Sequence, residues 1–168
     1  MEPIAALNRA DPEAFAQAIR PLFEAAPPLA NALYDKRPFT SYESLIDTAE
    51  VLALAMPFHE QAVVLSAHPR IGASPSSVSV ASYREQGYSA EAGMDPAELQ
   101  RIYAELADLN DLYERKFGFR FVIFVNRRQK AEIINVLRER IERGRDQELE
   151  TGIREMFHIA RDRLAAAR

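Results

Sequence analysis

Residues 95–118, DPAELQRIYAELADLNDLYERKFG, read as one long helix, and that reading sets the fold class. Asp95 offers an N-cap oxygen, Pro96 suits the first helical position, and Glu98 completes a capping box. Leu99, Ile102, Tyr103, Leu106, Leu109 and Tyr113 recur at three- and four-residue intervals, so they fall on one stripe of a helix of about four turns. Gly118 supplies the stop. Downstream, Phe117 to Val125 breaks the helical period as a dense run of Phe, Val and Ile. A lone strand would have no partner, so the run is expected to be extended backbone (117–125) threading a helical bundle, its polar groups finding partners there. A further helix is predicted from about Gln129 to Arg143, with Ile133, Ile134, Leu137 and Ile141 on one face and Gly144 as its stop. The last one carries Leu149, Ile153, Met156, Phe157, Ala160 and Leu164. Upstream, Asp11-Pro12-Glu13 opens a segment with Phe15, Ile19 and Phe23, and Thr40 with Glu43 reads as another capping box. The expectation is an all-α, single-domain multi-helix bundle spanning residues 1–168.

Composition narrows the function. With 48% hydrophobic residues and 27% charged, the 168-residue chain has the makeup of an ordinary globular protein rather than a disordered or collagen-like one. Its 21 Lys+Arg against 25 Asp+Glu give a net charge of −4, which argues against nucleic acid as a partner. The apolar run Val51–Phe58 falls far short of the roughly 20 residues of a membrane span. Met1-Glu2-Pro3 lacks a signal-peptide pattern and Ala165-Ala166-Ala167-Arg168 is not a Ser-Lys-Leu type ending, so the cytoplasm is the expected location. The absence of cysteine removes thiolate nucleophiles and Cys-type metal sites. What remains is carboxylate, imidazole, guanidinium and hydroxyl chemistry.

Of the three histidines, His158 falls on the solvated side of its helix and His59 in a first turn beside Glu60. His68 differs: it ends the apolar stretch Ala62–Ala67, and Pro69 stops the helix there, presenting the ring to whatever the next loop lines. On pattern alone a structural histidine satisfying terminal carbonyls remains the favoured reading. Ser82, Glu85 and Gln86 share one face of a helical turn, either as a polar patch or as a capping box with Ser82 as N-cap. On the last helix Arg163 lies about 70° from the apolar centre, nearer than Arg161 or Arg154, so it is the arginine most easily aimed inward, or else a snorkelling boundary residue.

Taken together, His68-Pro69-Arg70-Ile71-Gly72, Ser82-x-x-Glu85-Gln86 and Phe117-Gly118-Phe119-Arg120-Phe121-Val122, in this order, resemble the 2-oxo-4-hydroxy-4-carboxy-5-ureidoimidazoline (OHCU) decarboxylase family. Arg37-Pro38-Phe39 and Ile159-x-x-x-Arg163-Leu164 extend the resemblance over nearly the whole chain. It implies an all-α enzyme of purine and urate breakdown that yields (S)-allantoin, with no metal or organic cofactor, a small ureidoimidazoline as substrate, and often a homodimer.

Carried over residue by residue, the resemblance implies His68 as proton donor, with Glu85 and Arg163 completing the catalytic set. The substrate-binding positions fall on Pro69, on the turn Ser82, Tyr83, Arg84 and Gln86, and on Phe121, Val122, Ile123, Phe124 and Val125. Glu85 is expected to meet ureido or hydroxyl protons, Gln86 and the 121–125 backbone the ring's amide edges, and Arg163 an anionic or carbonyl oxygen. One departure is Asp162, where family members often carry leucine; its helical position turns it toward water. The substrate's conjugated ring can hold the electrons left by CO2, so orientation and one proton are the protein's tasks. Two other readings stay open: a non-catalytic interaction domain presenting charge runs such as Arg138–Arg145, and a lyase or hydrolase acting on another ureide.

Overall fold

The computed structural model describes residues 1–167; Arg168, the last residue of the C-terminal tail considered above, lies outside them. Among the described residues the chain forms nine α-helices, two 3-10 turns and no strand. They are α1 (Ile4–Leu7), α2 (Pro12–Phe23), α3 (Pro27–Tyr34), α4 (Tyr42–Ala55), α5 (Phe58–Ser66), α6 (Val80–Glu85), α7 (Pro96–Phe117), α8 (Lys130–Ile141) and α9 (Arg145–Ala166). The 3-10 turns are Pro75–Ser77 and Tyr88–Gly93. None of the helices is long and apolar enough to cross a membrane.

The caps explain most boundaries. Asp11 and Asp95 accept from the first-turn N–H groups of Ala14 and Ala97, so both are the N-caps expected, though Asp95 bonds the second helical residue and forms no capping box with Glu98. Gly118, in the left-handed conformation at φ +82°, ends α7, which spans 22 residues: about six turns rather than four, because its first and last turns carry polar residues that the apolar stripe does not count. Two caps fall elsewhere than expected. The box opening α4 is Ser41 with Ser44, not Thr40 with Glu43, and Gly144 is the N-cap of α9, while α8 already ends at Ile141.

Helix α9 is the central element, packing on α4, α2 and α5; α7 packs on α8, and α3 on α2, α4 and α5. Ile153, Met156, Phe157 and Ala160 on its inner face are fully buried. Where α9 meets α5, a Cβ on Gly152 would lie 3.2 Å from Leu65, so the absence of a side chain sets that approach.

Between α7 and α8 the segment 118–125 runs without helix or strand through the interior, as expected of the apolar connector. Its aromatic residues anchor it: the Tyr113 ring lies 4.7 Å from Phe117, 5.9 Å from Phe119 and 5.3 Å from Phe121, centroid to centroid. Each such buried ring contributes on the order of 1.5–3 kcal/mol by leaving water. A buried polar cluster fixes the rest. Arg140 on α8 donates to the Val122 carbonyl (2.8 Å) and to Glu148 (2.7 Å), which also accepts from the Tyr113 hydroxyl (2.7 Å). Arg140 is therefore core, which corrects the reading of Arg138–Arg145 as a wholly exposed charge run.

Arg37-Pro38-Phe39 is a structural clamp. The Arg37 guanidinium donates to the carbonyls of Tyr34, Asn8 and Ala10 and lies 3.4 Å over the Tyr34 ring, while the Asn8 amide brackets the Phe39 backbone.

Candidate active site

The end of α5, helix α6, the connector and the C-terminal part of α9 enclose a cavity of about 390 Å³. His68, Pro69, Ser82, Arg84, Glu85, Gln86, Phe121 to Val125 and Arg163 all line it, although they come from stretches far apart in the sequence. Tyr83 does not: it points outward and its ring packs on Tyr88 at 5.2 Å. His59 and His158 are exposed, as expected from their positions. Asp162 is exposed at the cavity's edge.

His68 is presented as the Pro69 stop predicts. Helix α5 ends at Ser66, and the His68 N–H returns to the Leu65 carbonyl. The residue is 3% exposed, and neither ring nitrogen completes a hydrogen bond within the protein among the described residues. The structural reading, a ring turned toward helix carbonyls, keeps one feature: the Val64 carbonyl of the last turn of α5 lies where it favours the imidazolium. Burial first, and then the positive charge of Arg163, push the imidazole down to about 4; Glu24 and the Val64 carbonyl oppose this only in part. A ring held at about 4 favours the neutral imidazole near pH 7.

The loop carrying His68 is fastened from two sides. Arg120 donates to the carbonyls of His68 (2.8 Å) and Ser66 (3.0 Å), and Glu114 joins Arg120 to Arg70. On the other side Gln86 accepts from the Gly72 N–H (2.9 Å) and the Tyr88 hydroxyl (2.9 Å), while its amide donates to the Arg70 carbonyl (3.1 Å). Both ends of the Gln86 amide thus hold the protein's own loop rather than facing a ligand. Buried Lys130 in turn donates to the Gln86 carbonyl (2.7 Å) and pairs with Glu91.

Ser82 is not the N-cap of α6; Ser79 is, and Ser82 occupies the third helical position. Its hydroxyl donates to Glu24 (3.0 Å) and accepts from Arg163 (3.2 Å). Arg163, 8% exposed, grips Glu85 with two parallel bonds and reaches Glu24 at 2.8 Å, with further contacts to the carbonyls of Pro21 and Leu22. Burial works against its charge, but Glu85 and Glu24 more than offset this and hold the guanidinium above its usual range. Burial likewise opposes the Glu24 carboxylate, and Arg163 outweighs it, keeping the group below the ordinary carboxylate range. The pocket therefore contains a guanidinium whose single charge is already committed to two carboxylates.

Nothing in the sequence pattern points to Glu24. It caps α2 at φ +58° and ψ −162°, a region almost reserved for glycine, and the strain is held by the Arg163, Ser79 and Ser82 contacts. A non-glycine residue at a helix end where Gly is the ordinary choice is the only local signal, and it shows only once φ is known.

Along the connector, Phe124 N–H donates to Glu155 (2.7 Å), and the carbonyls of Val122, Phe124 and Val125 are taken by Arg140 and Arg128. The N–H groups of Val122, Ile123 and Val125 and the Ile123 carbonyl have no protein partner among the described residues. Buried backbone groups rarely go unpaired, so this edge is suited to a ligand with amide-like donors and acceptors.

An all-helical frame around a partly open cavity of mixed lining, with a buried imidazole and a carboxylate gripped by a guanidinium, makes a candidate site for a small molecule. The chain belongs to the OHCU decarboxylase family, whose profile matches residues 8–165. It is 32% identical over 161 residues to a 2-oxo-4-hydroxy-4-carboxy-5-ureidoimidazoline decarboxylase of Halalkalicoccus jeotgali, covering 94% of this chain and 87% of that one. It is 31% identical over 159 residues to the uric acid degradation bifunctional protein PucL of Bacillus subtilis, covering 95% of this chain but 31% of that longer protein. Among solved structures, an OHCU decarboxylase crystallised in the presence of (S)-allantoin superposes with a TM-score of 0.69 at 30% identity, covering 94% of this chain and 98% of that one.

Proposed function

We propose that the chain decarboxylates 2-oxo-4-hydroxy-4-carboxy-5-ureidoimidazoline to (S)-allantoin and CO2 in urate breakdown. The observation that carries this reading is the convergence of buried His68, the Glu85–Arg163 pair and the unpartnered N–H groups of Val122, Ile123 and Val125 on one cavity of about 390 Å³. That size and mixture suit a small heterocycle with several N–H and C=O groups.

The substrate's carboxylate departs as CO2, and the electron pair of the broken C–C bond passes into the adjacent ring C=N. His68 gives one proton to the ring carbon, and the hydroxyl proton moves to the ring nitrogen as C–OH becomes C=O. The balance is one proton consumed and one CO2 released. No electron-accepting cofactor is required, because the ring itself accepts the pair. His68 begins neutral, but a carboxylate entering beside it favours the imidazolium, as Arg163 disfavours it, so the substrate draws the needed proton onto the ring. Glu85, oriented by the two bonds from Arg163, accepts from the ureido or hydroxyl protons. In this reading Arg163 and Gln86 act by positioning: Arg163 sets Glu85, and Gln86 sets the His68 loop. The free edge of Val122, Ile123 and Val125 meets the ring amides. The cytoplasmic location and homodimer implied by composition and resemblance belong to the same proposal; light scattering of the purified chain tests the dimer.

Freshly generated ureidoimidazoline supplies the test. Accelerated loss of its absorbance with (S)-allantoin as product is the expected result. A non-catalytic interaction domain, or an enzyme for another ureide, gives neither.

A further inference from the structure

The buried guanidinium of Arg163 is outweighed by the two carboxylates it pairs with, Glu24 and Glu85, so this part of the cavity offers no net attraction for an anionic substrate. Arg128 is likewise committed, to the carbonyls of Phe124 and Val125. Two lining arginines, Arg84 and Arg127, are exposed and have no ion pair or hydrogen bond through their side chains among the described residues.

Arg127 is placed unusually. The Arg128 N–H closes a turn onto the Val125 carbonyl at 3.0 Å, and both central residues, Asn126 (φ +48°) and Arg127 (φ +61°), are left-handed. Turns of this mirror-image kind favour asparagine at the first central position and glycine at the second. Asn126 obeys the rule and Arg127 does not. The backbone accepts a conformation that a glycine would adopt freely, and in return a cationic side chain stands at the cavity wall, directly after the connector that the ring is proposed to bind.

We infer that Arg127 is a capture and positioning residue that recognises the carboxylate of the incoming substrate at the cavity edge. This rests on the decarboxylase reading. A cation held on the carboxylate through the reaction would stabilise the charged substrate more than the neutral CO2 it becomes, opposing catalysis. A cation at the rim instead raises the encounter rate and initial affinity, and its effect is screened by salt.

The test compares wild type, Arg127→Gly and Arg115→Gln in steady-state kinetics at low and high ionic strength. Arg115 is exposed on α7, outside the cavity lining, and its substitution removes the same charge. Arg127→Gly is expected to fold with unchanged or raised thermal stability, to raise KM about five- to tenfold at low salt with kcat within about twofold, and to lose most of the wild type's salt dependence. Inhibition by (S)-allantoin, which lacks the carboxylate, is expected to stay within about twofold, showing the turn intact. The inference is overturned by an unchanged KM in Arg127→Gly, by an equal KM rise in Arg115→Gln, or by a loss confined to kcat. A wild-type enzyme that fails to turn over the ureidoimidazoline overturns the underlying reading, whereas a fully active wild type with an indifferent Arg127→Gly overturns this inference alone.

Discussion

Arg163 holds Glu85 in a two-pronged grip, Nε to Oε1 at 2.6 Å and the second terminal nitrogen to Oε2 at 2.8 Å, and with the latter nitrogen also reaches Glu24 at 2.8 Å. Two mostly buried carboxylates therefore share one guanidinium as their partner.

Arg163→Met should leave those acids facing each other without compensation. A loss of about 3–5 kcal/mol in stability is expected, together with loss of activity. Arg163→Lys restores the charge but not the fork, so it should recover much of the stability while activity stays at least about tenfold down. Urea denaturation and allantoin production on the same preparations check both halves.

The neutral state of His68 predicts an acid-sensitive stability. Its ring is pushed down to about 4 in the folded chain against an ordinary 6.5 when unfolded. Between these values the unfolded state binds the extra proton, so this contribution to stability is full above about pH 6.5 and is lost as pH falls toward 4, to a total of about 3 kcal/mol. His68→Asn lacks this slope. Denaturation midpoints of wild type and variant across pH 4 to 7 should converge at the acid end, and parallel curves would refute the assignment.

Gln86 should behave as a loop anchor. Gln86→Leu removes bonds to Gly72, Arg70 and Tyr88, leaving buried partners unpaired at about 1–3 kcal/mol in all. With the His68 loop loosened, kcat should fall more than KM rises. A pure KM effect would instead favour direct substrate contact.

In the core, Glu148→Leu strands the Arg140 charge and should cost about 3–5 kcal/mol, whereas the double change Arg140→Met with Glu148→Leu should regain most of it. The Val122 carbonyl then loses its Arg140 donor, so activity should not return with stability. Thermal melts and turnover of the two variants beside the wild type decide this.

These relationships differ in how visible they are from the chain alone. The long α7, its stop at Gly118 and the extended connector are local matters of period and φ preference, and they read directly. His68 before Pro69 and the inward lean of Arg163 could likewise be seen as geometry. What could not be seen is what each side chain would meet. Glu24 lies 139 positions from Arg163, and Gln86 serves a backbone 14 to 16 residues upstream, so no periodicity joins them. Arg140 sits in a charged run whose pattern favours solvent, and only the Glu148 carboxylate arriving from α9 makes its burial tolerable. Ser82 carried the spacing of an N-cap, but Ser79, with the same chemistry three residues earlier, fills that role.

The proposed decarboxylation depends on the imidazole of His68 as the source of the proton. The most direct measurement is the single-turnover rate of (S)-allantoin formation by His68→Asn, with folding and ligand binding verified on the same sample. A drop of about 10²–10⁴-fold with binding of (S)-allantoin retained is the predicted result. A rate near wild type would contradict it.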